Sequence, residues 1–231
     1  MIGVYDYTVI LTYMSAISAG IGIIVALSGN GHPYLGTFFL LFCGLCDAFD
    51  GKVARTKKNR SDVSKRFGIQ IDSLSDLVAF GVLPGCIAAA MIRVSPRLPE
   101  LPRVRFQTVS EWMTAFFLLA IICWYILTAL IRLAYYNVTE EIRQNTETGN
   151  RKFFEGLPVT SAALIFPFVM LLQYITNADI TVFYFIAMVL VSFAFVSKIK
   201  VPKPQTKGIL VMIAIGFVEF VILAIFWFLR K

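Results

Sequence analysis

The residues best suited to chemistry fall in two short runs. The first is Asp47-Ala-Phe-Asp50-Gly51-Lys-Val-Ala54-Arg55, and the second is Gly68-Ile-Gln-Ile-Asp72-Ser-Leu-Ser-Asp76. Asp47, Asp50, Gly51 and Ala54 are spaced i, i+3, i+4, i+7, which places them on one face of a helix. Gly68, Asp72 and Asp76 are spaced i, i+4, i+8 and share a face in the same way. Both runs border apolar stretches. An Asp at the centre of a membrane helix costs about 3 kcal/mol, and less toward the interface. Four carboxylates meeting at one depth add mutual repulsion. Two divalent cations would offset a local charge of −4. Oxygen ligands suit Mg²⁺ or Mn²⁺, which keep waters and bind phosphates. Gly51 and Gly68 allow a ligand close to the backbone, and Arg55 and Lys52 supply cations for a diphosphate. The pattern therefore reads as a two-metal phosphoryl-transfer site at the inner membrane surface. The alternative is a set of polar residues lining an ion or proton path. A transporter would also need acids at mid-bilayer, where only Glu219 lies, and Glu219 is expected to pair with a polar group of a neighbouring helix.

The elements that must position these residues are apolar helices. Of 231 residues, 58% are hydrophobic and 15% charged, with a mean hydropathy of +0.76. These values exclude a disordered chain, a coiled coil and an ordinary cytosolic enzyme. A span needs about 20 mostly apolar residues. Candidates are Val9–Ser28, Tyr34–Ala54, Ile71–Ile92, Trp112–Tyr136, Leu157–Ile175, the short Thr181–Val196, and Gly208–Leu229, the last as a span or a re-entrant hairpin. The small residues Ser15, Ala16, Ser18, Ala19, Gly20 and Gly22 suit close packing of the first helix, and Pro167 should kink the fifth or be tolerated by its neighbours. The start of the chain does not read as a cleavable signal, because Asp6 precedes a run long enough to span. With the N-terminus inside, fifteen of the 21 basic residues fall on the inner face. That asymmetry follows the positive-inside rule and accounts for the high pI without nucleic acid. The Arg93–Arg105 loop is an exception to it. Cys43, Cys46, Cys86 and Cys123 lie in apolar stretches and read as packing residues rather than disulfides or zinc ligands.

The pattern Asp47-x-x-Asp50-Gly51-x-x-Ala54-Arg55…Gly68-x-x-x-Asp72-x-x-x-Asp76 resembles the signature of the CDP-alcohol phosphotransferases. The 12 residues between Arg55 and Gly68 make a longer connection than the general pattern carries. The resemblance implies an all-α polytopic membrane bundle. A six-helix core would occupy residues 1–200, and residues 201–231 would add a C-terminal hydrophobic segment. It also implies roles. Asp47, Asp50, Asp72 and Asp76 would hold two Mg²⁺ or Mn²⁺ ions, with Asp76 also the general base. Gly51, Ala54, Arg55 and Gly68, with Asp47, would cradle the CDP group. A homodimer in the cell membrane, with its site facing the cytoplasm, is implied as well.

A second polar cluster runs Arg132-Leu-Ala-Tyr-Tyr-Asn137 and then Arg151-Lys152-Phe-Phe-Glu155-Gly156-Leu-Pro158. With the run Phe67–Leu74, it is similar to the phosphatidylserine synthase branch of the family. That likeness implies CDP-diacylglycerol as donor and L-serine as acceptor. Arg132 or Arg151 would meet the serine carboxylate, and Glu155 or Asn137 its ammonium. Arg151 and Lys152 can equally be inside-positive residues facing anionic lipid. Arg132 lies within an expected span, where a charge needs a partner. The rival acceptors are glycerol phosphate and inositol phosphate. The rival donor is an archaeal ether lipid, which would give archaetidylserine.

Overall fold

The computed structural model describes residues 3–28, 33–95, 98, 109–146, 153–176, 179–203 and 206–229. Among these residues eight α-helices are formed: α1 (Ile10–Leu27), α2 (Pro33–Thr56), α3 (Asp62–Asp76), α4 (Leu83–Val94), α5 (Val109–Thr146), α6 (Ala162–Thr176), α7 (Thr181–Val196) and α8 (Thr206–Leu229). A π-helical segment, Leu77–Val82, joins α3 and α4 into one rod, Asp62–Val94. Five of these rods are long and apolar enough to cross a membrane, and the helices at Val159–Gln173 and Thr181–Val196 are shorter apolar ones. The chain is thus an all-α, polytopic membrane bundle. The exception to helix among the described residues is a ribbon of two three-residue strands. In it β1 (Phe153–Glu155) runs antiparallel to β2 (Lys200–Pro202), with Phe154 opposite Val201.

Several boundaries differ from the hydropathy reading, each for a physical reason. The third rod starts at Asp62, nine residues before Ile71, because Ser61 caps it by accepting the Ser64 amide at 3.2 Å. Its first turns are polar and stand outside the apolar run. Helix α5 extends to Thr146 and is 38 residues long. At 1.5 Å per residue it measures about 57 Å, well beyond the hydrocarbon core of about 30 Å. The fifth expected helix begins later, at Ala162, after extended Pro158 and a single 3₁₀ turn at Val159–Ser161. Pro167 lies inside α6. Helix α8 is continuous over 24 residues, so Gly208–Leu229 forms one helix rather than a hairpin.

Close packing is supplied by small residues. Ser15, Ser18, Ala19, Gly22 and Ala26 form the buried stripe of α1 against its neighbours. Gly20 faces open space instead. At the other end of α1, Arg93 donates to the carbonyls of Leu27 at 3.0 Å and Ala26 at 2.9 Å. It satisfies the orphan carbonyls of the α1 C-terminus and complements its dipole. This accounts for one basic residue on the face the charge rule would leave neutral. Arg97, Arg103 and Arg105 lie outside the described residues. All four cysteines are free thiols.

The π segment has a local cause. Pro84 brings no N–H to the ladder, and its ring crowds the preceding turn. The Leu83 amide reaches back to Val78, the π pattern. The Phe80 carbonyl, which an ordinary residue 84 would have bonded, instead accepts the Tyr125 hydroxyl at 2.6 Å. The Tyr184 hydroxyl donates to the Pro84 carbonyl at 3.2 Å. Two fully buried tyrosines from α5 and α7 thus hold the broken turn of the rod that carries Asp72 and Asp76.

Candidate metal centre and nucleotide cradle

Helix α1 sets the register of the site. The Thr12 carbonyl accepts the Ser75 hydroxyl at 3.1 Å, and the Ser15 carbonyl accepts the Cys43 thiol at 3.3 Å. Ser75 adjoins Asp76, and Cys43 lies one turn before Asp47. The same stretch of α1 therefore braces α3 and α2 at the level of their aspartates.

Between these braces, carboxylate oxygens of Asp47, Asp50 and Asp72 lie within 4.8 Å of one another, and all three residues are half-buried. Two oxygens bound to one Mg²⁺ at about 2.0–2.1 Å are at most about 4.2 Å apart, so the triad needs only a small contraction to share an ion. The ion pairs Lys57–Asp6, Lys65–Asp62 and Arg143–Glu140 leave these carboxylates aside. An all-oxygen, uncompensated acidic cluster suits a hard divalent cation. Asp76 stands outside the triad, one turn beyond Asp72, within electrostatic range of Asp47, Asp72 and Asp50. The structure therefore gathers three of the four expected carboxylates into one cation-sized group.

The remaining motif residues surround it. The Arg55 guanidinium lies over Gly51, with Nη1 3.5 Å from where a Cβ would stand. Ala54 is half-buried on the same α2 face. At Gly68 a Cβ would come within 2.7 Å of Nη2 of Arg60, so a guanidinium fills the notch the glycine leaves. Arg60 donates from Nη2 to the Ser64 carbonyl at 3.0 Å, while its Nε is buried without a hydrogen-bond partner. Read from sequence, Arg60 is one more charge in the long α2–α3 connection. The available signal was its place directly before the Ser61 cap, which turns it back toward Gly68.

The second polar cluster is divided among several contacts. Arg132, 6% exposed, donates from Nε to the Leu157 carbonyl at 3.2 Å, and its guanidinium lies 5.4 Å from the Tyr136 ring. Tyr136 packs edge-on against Phe154 of the ribbon, and Lys203 covers that ring from 5.7 Å. Asn137 donates to the Ser73 hydroxyl at 2.8 Å, beside Asp72. Glu155 is exposed and accepts the Tyr135 hydroxyl at 2.9 Å. Arg151, Lys152 and the short loop at 29–32 lie outside the described residues. Glu219 is buried, and its Oε2 has no hydrogen-bond partner among the described residues, so the expected polar pairing is not formed.

The ribbon is anchored at the C-terminal end of α7 by Gly156. Its φ of +77° is a conformation open to glycine, and a Cβ there would strike the Phe195 carbonyl at 2.6 Å. Its amide donates to the Ile199 carbonyl at 2.8 Å. Beneath the ribbon, α2, α6 and α8 enclose a cavity of about 740 Å³. Its mouth carries Asp47, Gly51, Lys52, Arg55 and Lys203, and its walls are apolar.

Comparison with known proteins fits this geometry. Residues 8–196 match the CDP-alcohol phosphatidyltransferase family model. The chain belongs to the CDP-alcohol phosphatidyltransferase family. It is 37% identical over 142 residues to a Saccharomyces cerevisiae protein named CDP-diacylglycerol--serine O-phosphatidyltransferase, covering 60% of this chain and 43% of that one. A Helicobacter pylori protein of the same name is 26% identical over 160 residues, 69% of this chain and 56% of its own. The chain thus spans about half the length of these two relatives. An archaetidylserine synthase of Methanothermobacter thermautotrophicus is 26% identical over 199 residues, 86% of this chain and 70% of its own. No solved structure shows a significant match.

Proposed function

We propose that this protein is a membrane enzyme that transfers the phosphatidyl group of CDP-diacylglycerol to the hydroxyl of L-serine, giving phosphatidylserine and CMP. The observation that carries the reading is the Asp47–Asp50–Asp72 triad, whose Asp47 also lines a cavity that carries Lys52, Arg55 and Lys203 at one end and apolar walls along the rest. Asp47, Asp50, Asp72 and Asp76 would hold two Mg²⁺ or Mn²⁺ ions. When bound, such ions neutralise the diphosphate and the charge developing on the leaving CMP. Gly51 would let the nucleotide approach the backbone, Gly68 would seat the Arg60 guanidinium beside it, and Arg55 would meet its phosphates. Arg132, with Arg151, would orient the serine carboxylate. Asn137 and Glu155 would accept from the ammonium through their side-chain oxygens. Asp76 takes the proton of the serine hydroxyl. The serine oxygen then bonds to the β-phosphorus, the bond from that phosphorus to the CMP oxygen breaks, and the electron pair leaves with CMP. In this reading the site faces the cytoplasm, residues 1–200 form the catalytic unit, residues 201–231 add to it, and the enzyme is a homodimer.

The second reading is the same transfer from an ether-lipid donor. It is favoured by the wider coverage of the archaetidylserine synthase match, 86% of this chain. One assay separates the possibilities. Purified protein is incubated with Mg²⁺ or Mn²⁺, an ester or ether CDP-lipid, and serine, glycerol phosphate or inositol phosphate, and the lipid product is identified by mass. Serine-dependent CMP release is expected, and Asp76→Asn should abolish it while leaving CDP-lipid binding largely intact. Turnover with a phosphorylated alcohol alone would reject serine as acceptor. Cation flux in proteoliposomes without CMP release would reject the enzyme reading in favour of a transporter.

A further inference from the structure

The cavity under the ribbon continues well past the level of the aspartates, and one of its walls lies outside the family match. That match ends at Val196, whereas Ile209, Met212, Ile213, Gly216, Phe217 and Phe220 of α8 line the cavity. Opposite them, α2 contributes Leu41, Phe42 and Leu45 below Asp47. The two helices converge toward the deep end, where Phe220 meets Phe38 edge-on at 5.3 Å. From Ala48 to Phe38 is ten residues of α2, about 15 Å at 1.5 Å per residue. The cavity is thus an apolar sleeve whose polar mouth is the nucleotide cradle itself. A ligand filling both ends carries phosphates at one end and a hydrocarbon chain at the other.

We propose that α8 completes a binding site for the proximal part of one hydrocarbon tail of the CDP-lipid donor, and that Gly216 sets its width. This rests on the functional reading above and adds to it where the tail goes. Gly216 lies in the deeper half of the sleeve, beside Leu41 and Leu164. A Cβ there would sit 3.3 Å from Cδ2 of Leu164 and 3.8 Å from Cδ2 of Leu41, both ends of flexible side chains. An alanine is accommodated, and a larger side chain fills the lumen. Phe220 narrows the deep end, so truncating it widens the sleeve there.

The test compares Gly216→Leu, Gly216→Ala and Phe220→Ala with the wild type on two donors, dipalmitoyl and dibutanoyl CDP-diacylglycerol. The four-carbon chains end short of Gly216, and the sixteen-carbon chains pass it. Gly216→Leu should raise KM for the dipalmitoyl donor about tenfold, the effect of one overpacked contact, and change the dibutanoyl donor little. Gly216→Ala should behave as wild type. Phe220→Ala should improve use of donors with a branched or bulky chain. Binding is read separately, with a CDP-lipid carrying a photoreactive diazirine near the middle of its chain. Cross-links should map to α8 in the wild type and be lost in Gly216→Leu. Equal loss on both donors, or no α8 cross-link, overturns the tail site. An α8 cross-link without CMP release from any donor would leave the tail site standing and reject the transferase reading.

Discussion

Tyr125 offers a sharp test of how the rod carrying Asp72 and Asp76 is held. Its hydroxyl donates to the Phe80 carbonyl at 2.6 Å, and both residues are fully buried. Because residue 84 is proline, that carbonyl receives no i+4 amide, the ordinary α-helical bond. Tyr125→Phe removes the hydroxyl and keeps the ring contacts with Phe166 at 5.5 Å and Phe195 at 5.6 Å. The loss is therefore that of one buried acceptor left unsatisfied, about 1–3 kcal/mol in proteins generally. Interhelical hydrogen bonds in membranes average about 0.6 kcal/mol and reach about 1.7. A cost of about 1–2 kcal/mol follows, roughly a tenfold change in the unfolding equilibrium. Tyr184→Phe is the matched control. Its hydroxyl reaches Pro84 at 3.2 Å, and that carbonyl lies within α4, where the helix ladder already supplies a donor. Its cost should stay below about 0.6 kcal/mol. Reversible unfolding in mixed micelles, followed by circular dichroism, measures both. If Tyr184→Phe were as costly as Tyr125→Phe, or Tyr125→Phe were neutral, the account of the π segment would be refuted.

Two further outcomes follow from particular contacts. At Gly44 a Cβ would lie 2.6 Å from the Cβ of Ala163, an atom fixed to its backbone, so α2 and α6 must separate. Gly44→Ala should cost about 1–3 kcal/mol and, one turn from Asp47, weaken Mn²⁺ binding measured by electron paramagnetic resonance; unchanged stability would contradict the packing. Near the N-terminus, the Lys57 ammonium at 2.8 Å, helped by the Thr8 hydroxyl and amide, holds the Asp6 carboxyl below the usual carboxylate range. A depressed folded pKa adds stability above the unfolded value, about 3.9, and loses it as pH falls through the folded value. Wild type should therefore lose stability relative to Asp6→Asn on acidification below about pH 4, more weakly in high salt; parallel stability curves would rule the contact out as a contributor.

The aspartate site was legible because it depends on helical spacing alone. Asp47, Asp50 and Asp72 sit where an i, i+3 pair and an i, i+4, i+8 row put them, and the triad assembles from two helix faces. The seven apolar rods were legible from hydropathy, which registers what is removed from water. Their ends were not, since the Ser61 cap and the polar first turns of α3 lie outside any apolar window. The ribbon was invisible, because three-residue strands carry no periodicity. Pro84 marks the π segment locally, but the contact that holds it, the Tyr125 hydroxyl on a carbonyl 45 residues earlier, is tertiary. Arg60 was hidden for the same reason, since its notch exists only once Ser61 turns the chain. Arg93 breaks the loop-charge rule because α1 needs a donor at its end, a demand set by local geometry.

The three carboxylates of the triad, and the α1 carbonyls that brace them, all come from residues 12–76. Nothing after Asp76 supplies a triad carboxylate or either of those braces. Membrane chains emerge N-terminus first, and contacts local in sequence form early. The aspartate group can therefore begin to assemble while α5 to α8 are still being made, and α5 and α7 later brace its rod through Tyr125 and Tyr184. The parts that would grip serine and the lipid tail arrive last. In biogenesis, as in the motif, the site is built from the aspartates outward.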